Sequence, residues 1–349
     1  MSASTTPAET RPGAADGASF LQGTGRRLRA KGAPRLIAGK FIRFVVTILV
    51  VTFFTTLLMK LIPGNPAYLM AGPGAPQSEI DAITQKYHFN DNVFQQYASW
   101  LSHAIRGDLG TSHITQLPVT ETLAQRLPVT LELAILAVLI GLVLAVPLAI
   151  VCATRPGSRL DQAMSALGFG AVSLPSFVIA LLLVYVFAVT MHVFPVIGWT
   201  PLTENVWQNL RGAALPVTAI AIGQVVVFQR VLRADLIGTT QEDFIALARA
   251  KGLSTNAIMW KHALKPASFS LITLSGLSLA SLLGGTVLVE QIFVLPGLGS
   301  NIVNAITDND FPMVQGEVAF IAVAFLVINF AVDILYGVLD PRTRTKAIR

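Results

Sequence analysis

Six apolar stretches, at about Phe41–Ile62, Val129–Thr154, Ala166–Thr190, Ala213–Leu236, Phe269–Phe293 and Gly316–Leu339, fill most of a 349-residue chain. Each holds about 20 or more mainly apolar residues, which at ~1.5 Å rise per residue crosses the ~30 Å hydrocarbon layer of a bilayer. Inside that layer a chain must satisfy its own backbone hydrogen bonds, so only helices and closed barrels can span it. Barrel strands would show segments of about ten residues with alternating polarity, a pattern absent here. The chain is therefore read as an all-α integral membrane protein with six transmembrane helices. With 53% hydrophobic and 13% charged residues, it cannot present the surface of a soluble domain, where about 25% are charged. Its one cysteine, Cys152, excludes a disulfide framework and a four-cysteine metal site.

The basic residues give the helices a direction. Of 25 lysines and arginines, 20 precede or open the first stretch, lie between the second and third, lie from the end of the fourth to the fifth, or follow the sixth. Cytoplasmic loops carry such an excess, so both termini are expected in the cytoplasm. In a membrane protein this distribution says more than the net charge of +6, and nucleic acid is not an expected partner. Residues 1–39 are rich in Ala, Gly, Thr, Pro and Ser, and are expected as a disordered cytoplasmic tail ahead of a first helix at 40–63. The basic cluster at Arg26–Lys31 suits anionic lipid headgroups. A cleaved secretion signal does not fit. The apolar stretch is too long, and Pro63-Gly64-Asn65-Pro66 stands where small residues would be needed.

Two connecting segments are too patterned to be plain linkers. Residues 64–128, expected outside the cell, offer Ser78-x-x-Asp81 as a capping box, then Val93, Phe94, Tyr97, Leu101 and Ile105 at helical spacing up to Gly107. They read either as a shield for the bundle or as a platform for an extracellular partner. In the cytoplasmic segment at about 239–266, Thr239-Thr240-Gln241-Glu242 supplies a helix start. A short helix follows from Asp243 through Ala246, Ala248, Arg249, Ala250 and Lys251, with acids first and bases last as the helix dipole favours. Gly252 can end it in the left-handed conformation, and Ser254 can cap a second helix that passes Leu264 and stops before Pro266. The small side chains of Ala246, Ala248 and Ala250 would let another surface approach. The unit reads as a docking knob or as a solvated basic connector.

At this segment the chain resembles a family. Ala246-Leu247-Ala248 with Gly252, followed by His262-x-Leu264, resembles the cytoplasmic coupling loop of ABC importer permeases. Ala248-Arg249-Ala250-Lys251-Gly252-Leu253 resembles the dipeptide, oligopeptide and nickel branch. Leu61-Ile62-Pro63-Gly64-Asn65-Pro66, Gly107-Asp108-Leu109-Gly110-x-Ser112 and Arg126-Leu127-Pro128-Val129-Thr130-Leu131-Glu132-Leu133 agree in order. So do Ser173-Leu174-Pro175-Ser176-Phe177, Glu290-x-x-Phe293-x-x-Pro296-Gly297-Leu298-Gly299 and Asp333-x-x-Tyr336-x-x-x-Asp340-Pro341-Arg342. Asn65 stands where an Asp is commoner, and Ala246 replaces the glutamate of the general coupling motif.

The resemblance implies a type I importer fold, with a five-helix permease core at 129–345, in a bacterial cell membrane. It implies a second homologous permease, two cytoplasmic ATPase subunits or domains, and an extracytoplasmic solute-binding protein as partners, with membrane lipid around them. Asp243, Ala246, Ala248, Arg249, Ala250, Lys251, Gly252, Leu253 and His262 would carry coupling to the ATPases. ATP and Mg would be bound by those partners, since no Walker-type Gly-x-x-x-x-Gly-Lys-Ser/Thr occurs here. The cargo implied is di- or oligopeptides, with nickel or glutathione as the alternative.

Among polar groups in the stretches, Gln224, Glu290 and Gln291 are candidates for lining a translocation path, weighed against structural hydrogen bonding. Glu132 and Asp333 sit near stretch ends, and for Asp333 structural pairing with cytoplasmic or interfacial bases is favoured. Gly284-Gly285 with Ala280 and Ser281 suggests a close helix contact, and Gly168-x-Gly170 with Pro175 a kink in the third stretch. His88, His103, His113, His192 and His262 are scattered and form no metal motif. An intramembrane serine protease would want a histidine inside a span, and a channel a filter-like loop; neither is present. A secondary transporter shares the topology but leaves the cytoplasmic knob unexplained.

Overall fold

In a computed structural model, residues 33–61, 66–87 and 89–339 are described; the basic cluster at 26–31 and the chain after Leu339 lie outside them. Helix α1 runs from Ala33 to Leu61, so it begins within the stretch expected as tail. Pro34 explains the start, because proline suits the first helical turn, where its missing N–H is not needed. The chain divides into two units after Leu49. In the first, Phe41 and Phe44 stack at 6.2 Å and Thr47 Oγ1 donates to the Arg43 carbonyl at 2.8 Å.

In the second unit, α2 (Pro66–Ala71), α3 (Gln77–Lys86) and α4 (Val93–Ala104) form the loop that follows α1. Asn92 and Gln95 make the capping box of α4. The box expected at Ser78 and Asp81 does not form. Pro76 precedes α3 as the cap residue, so Ser78 already lies in the first turn, and Asp81 instead accepts from Gln77 Nε2 at 2.9 Å.

Among the described residues, five helices are long and apolar enough to cross a membrane, with spans Phe41–Leu61, Val119–Thr154, Val206–Thr239, Thr255–Gly285 and Phe311–Leu335. The second of them, α5 (Val119–Thr154), starts well before the expected Val129 and carries Pro128 and Pro147 within it. The third expected span is broken. Helix α6 (Arg159–Ser173) ends at Leu174, which is extended at φ −94° and ψ 121°, and α7 (Ser176–Leu183) restarts after Pro175 and continues as a π-helical turn over Val184–Thr190. The cause is local, since a residue before proline avoids the helical region and proline offers no N–H.

Helix α8 (Val206–Thr239) is followed by α9 (Asp243–Ala250). Thr239 is the last residue of α8 rather than the cap of α9, whose cap residue Glu242 makes no side-chain capping bond. Next come α10 (Thr255–Ala257), a π-helical turn over Ile258–Ala263 and α11 (Leu264–Gly285), which run as one helix. The helix passes through Pro266 instead of stopping before it. The π-turn just upstream shifts the bonding frame, which accommodates a residue that cannot donate. The fifth expected span ends at Gly285, not Phe293, and α12 (Val287–Ile292) and α13 (Leu298–Thr307) are separate short helices before α14 (Phe311–Leu339).

Among the described residues, helices α5 and α8 make the most extensive pairing. Gly141 makes it possible, because a Cβ there would lie 2.9 Å from Gln224 Cβ and 3.2 Å from the Phe228 ring. Between α11 and α14 the tight point is Gly276 against Val332, while an added Cβ at Gly285 would meet nothing. One apolar cluster, including Leu133, Ala145, Phe228, Leu232, Ile245 and Met259, ties these helices to the segment after α8.

Candidate functional site

The segment after α8 is built as a rigid knob. Leu253 N donates to the Ala248 carbonyl at 3.3 Å and Gly252 N to that of Arg249 at 2.9 Å. This paired closure of a helix end requires a left-handed residue, and Gly252 has φ +78°. Ser254 Oγ then accepts from Ala257 N at 3.4 Å and caps the next helix, as its sequence position indicates. Ile245, Ala248, Ile258, Met259 and Ala263 face inward and belong to the same core cluster as α5 and α8. The knob therefore cannot move without moving the spans.

Its outer face differs from the sequence expectation at two points. Ala248 is only 7% exposed, so it packs inward and leaves Ala246 and Ala250 as the small residues at the surface. His262, whose place in the second helix suggests a packing or capping role, is exposed instead of packed. Asp243, Arg249, Lys251, Gly252 and Leu253 are exposed as expected. Phe244, Leu247 and Trp260, which sequence reasoning missed, stand out beside them at 45%, 58% and 48%. Large apolar and aromatic side chains in the open are what anchor protein interfaces. The signal was present, since Asp243–Ala250 is apolar nearly all round, but a helix of about two turns does not reveal which side faces its own core.

The intramembrane candidates separate sharply. Glu290 has no exposed surface and lines no path. Its Oε1 accepts from Thr130 Oγ1 at 2.9 Å and Thr286 Oγ1 at 2.7 Å, and its Oε2 from Ser300 N at 2.8 Å. Thr130 Oγ1 also accepts from Leu298 N at 2.9 Å. The motif from Glu290 to Gly299 is thus a buried clasp that fastens α12 and α13 to α5. Its glycines are steric requirements: a Cβ on Gly297 would strike the Glu290 carboxylate, and one on Gly299 would lie 2.6 Å from Val287 Cα. Within the clasp Val294 sits at φ 52°, a strained conformation for a β-branched residue. Gln291 is half-buried and donates from Nε2 to the Ser300 carbonyl at 3.2 Å, and Gln224 is half-buried against Gly141.

A second clasp holds the loop that follows α1. Ser112 Oγ donates to Asp310 Oδ2, and His113 N donates to Asp310 Oδ1 at 3.1 Å. Gly316, one turn into α14, receives Leu109 and Val119 so closely that a Cβ would lie 2.7 Å from Val119 Cγ1. This accounts physically for the segment Gly107–Ser112.

Where α6 begins, Asp161 accepts from Arg233 Nη2 on α8 at 2.6 Å and from Gly157 N at 2.9 Å. The hydrogen-bonded Arg233 guanidinium holds the Asp161 carboxyl below the usual carboxylate range. A lowered carboxyl pKa contributes stability above the unfolded-state value, near 3.9, and loses it as pH falls through the folded value. The clasp is therefore intact at neutral pH. Asp161→Asn is expected to cost about 2–3 kcal/mol, discounted because Arg233 is 26% exposed. A lower melting temperature of the detergent-solubilised protein at pH 7, converging on the parent as pH falls to acid, checks it.

Residues 145–345 match a family profile described as binding-protein-dependent transport system inner membrane component, and residues 34–134 match the N-terminal profile of such membrane components. A Brucella abortus chain named as a peptide transport system permease protein is 38% identical over 309 residues, 88% of this chain and 98% of its own. The dipeptide transport system permease protein of Bacillus subtilis is 35% identical over 314 residues, 89% and 98% of the two chains. The glutathione transport system permease protein of Escherichia coli is 30% identical over 307 residues, 88% and 98%.

Proposed function

Because this chain belongs to the family of inner-membrane components of binding-protein-dependent ABC transport systems, we propose that it forms, with a second homologous permease, the path for importing di- or oligopeptides. A solute-binding protein delivers the cargo from outside, and two ATPase subunits, which bind ATP and Mg, drive the cycle from the cytoplasm. The peptide assignment rests on similarity to chains named for peptide and dipeptide transport. The single observation that carries the coupling role is the exposed apolar face of α9, with Phe244, Leu247 and Trp260 outward on a knob whose inner face is part of the helix core.

In this reading Phe244 and Leu247 insert into a groove of an ATPase, while Asp243, Arg249 and Lys251 around them set orientation. Gln224 and Gln291, each half-buried in the single chain, remain candidates for lining the path between permeases. Reconstitution tests the whole proposal. The chain alone in vesicles should accumulate no peptide, and uptake should require the ATPases, the binding protein and ATP together. Robust ATP-independent accumulation by the isolated chain would replace this reading with a secondary transporter.

A further inference from the structure

Where the outer loop meets the ends of α1 and α14 there is a cavity of about 620 Å³, within the usual size of small-molecule sites. Its wall includes Lys60 at the end of α1, Lys86 at the end of α3, Trp100 on α4, and Phe311 and Gln315 at the start of α14. Both bounding spans begin or end here, so the cavity lies at the level where hydrocarbon gives way to headgroups. Helix α4 reaches deeper. Phe94 and Tyr97 pack on Phe53 of α1, with ring centroids 5.5 Å and 5.4 Å away, and Phe53 lies about 12 Å along the helix from Leu61. Phe94 is nevertheless 65% exposed. An aromatic helix laid against a membrane span in this way belongs in the interfacial belt.

Two donors in the wall have no acceptor among the described residues. Tyr87 Oη and Trp100 Nε1 are both buried there without a hydrogen-bond partner, and buried donors are normally satisfied. Nearby, the Lys86 ammonium sits 5.2 Å from the Tyr87 ring centroid, and Lys60 Nζ donates to the Asp91 carbonyl. One carboxylate, Asp108, also lines the cavity and accepts from Gly110 N at 2.9 Å. Two cations, two idle donors and a mouth at headgroup level want an anion rich in acceptor oxygens. Leading away from the site, Phe54, Leu58 and Leu61 form an exposed apolar stripe on α1, at the spacing of one helix face.

We propose that this cavity binds the phosphate headgroup of an anionic glycerophospholipid, with an acyl chain lying along Phe54, Leu58 and Leu61. The lipid fixes the outer loop to the end of α1 and makes that loop a membrane-seated element. The proposal concerns binding alone and stands whether or not the cargo is a peptide.

The chain, purified with its co-purifying subunits and washed free of lipid in mild detergent, is mixed with phosphatidylglycerol, phosphatidylcholine or glycerol 3-phosphate. Intact-mass measurement reads the adducts. Phosphatidylglycerol should be retained, and neither of the other two. Lys60→Gln combined with Lys86→Gln should weaken retention on the order of tenfold or more, without changing the melting temperature, since both side chains are exposed. Trp100→Phe, which keeps the ring and removes the donor, should weaken it about threefold. Equal retention of phosphatidylcholine, or undiminished phosphatidylglycerol in the double variant, overturns the proposal. Retention of glycerol 3-phosphate as strong as that of the lipid also overturns it, in favour of a small-anion site. Loss of binding-protein capture in the double variant, with lipid adducts unchanged, assigns the surface to that protein instead.

Discussion

Gly252→Val is expected to leave the chain in the membrane, assembled with its partners, and nearly devoid of transport. The residue sits at φ +78° with nothing within 4 Å of an added Cβ. The penalty is therefore conformational rather than a clash, about 1–2 kcal/mol for a β-branched residue in the left-handed region. That is too little to unfold a helix bundle whose core is elsewhere. It is enough to open the paired closure between Ala248, Arg249, Gly252 and Leu253, and so to turn α9 away from the helix that Ser254 caps. Rigid docking tolerates little displacement, so uptake should fall at least tenfold while expression and melting temperature stay near the parent. ATP hydrolysis should become weak or unresponsive to loaded binding protein. Asn tolerates left-handed backbone better, so Gly252→Asn should keep most uptake. Normal uptake and normally stimulated hydrolysis in the valine variant would show the knob to be a solvated connector.

Gly299→Ala should fail in the opposite way, by loss of stability rather than of coupling. Its Cβ would lie 2.6 Å from Val287 Cα and 3.0 Å from Glu290 Oε2, and neither a backbone atom nor a carboxylate already holding Thr130, Thr286 and Ser300 can retreat. Overpacking of this kind costs roughly 3 kcal/mol, and release of the clasp would add buried groups without partners. The expected result is poor accumulation in the membrane and a melting temperature lowered by several degrees in detergent, measured by thermal size-exclusion chromatography. Glu290→Gln should be milder, since it keeps the shape but sets an amide donor or a weaker acceptor against Ser300 N–H. A Gly299→Ala protein as stable as the parent would remove the steric account of the motif.

How much of this was legible in the sequence follows from the range of each interaction. Hydropathy reveals the spans because a bilayer reads each helix separately. The break at Pro175 and the left-handed Gly252 are equally local, fixed by one residue and its neighbour. The Glu290 clasp is not local, because Thr130 stands 160 residues away, and an acidic residue in an apolar run looks the same whether it faces water or a closed ring of donors. The inward turn of Ala248 was hidden for a related reason: with apolar residues on both sides of α9, only contact with Met259 and the α8 core selects the face. Pro266 misled because a proline ends an α-helix, while a π-turn next to it lets the helix continue.

That continuity has a mechanical meaning. The helix from Thr255 to Gly285 is 31 residues long, about 46 Å from end to end. Its first turns are packed with α9 and its last residues adjoin the clasped α12. A stiff rod of that length, pivoting near its middle by ten degrees, carries each tip about 4 Å and in opposite directions. A closing stroke applied to Phe244 and Leu247 on one face of the membrane would therefore reach the far face as an outward swing, so that one side narrows as the other opens.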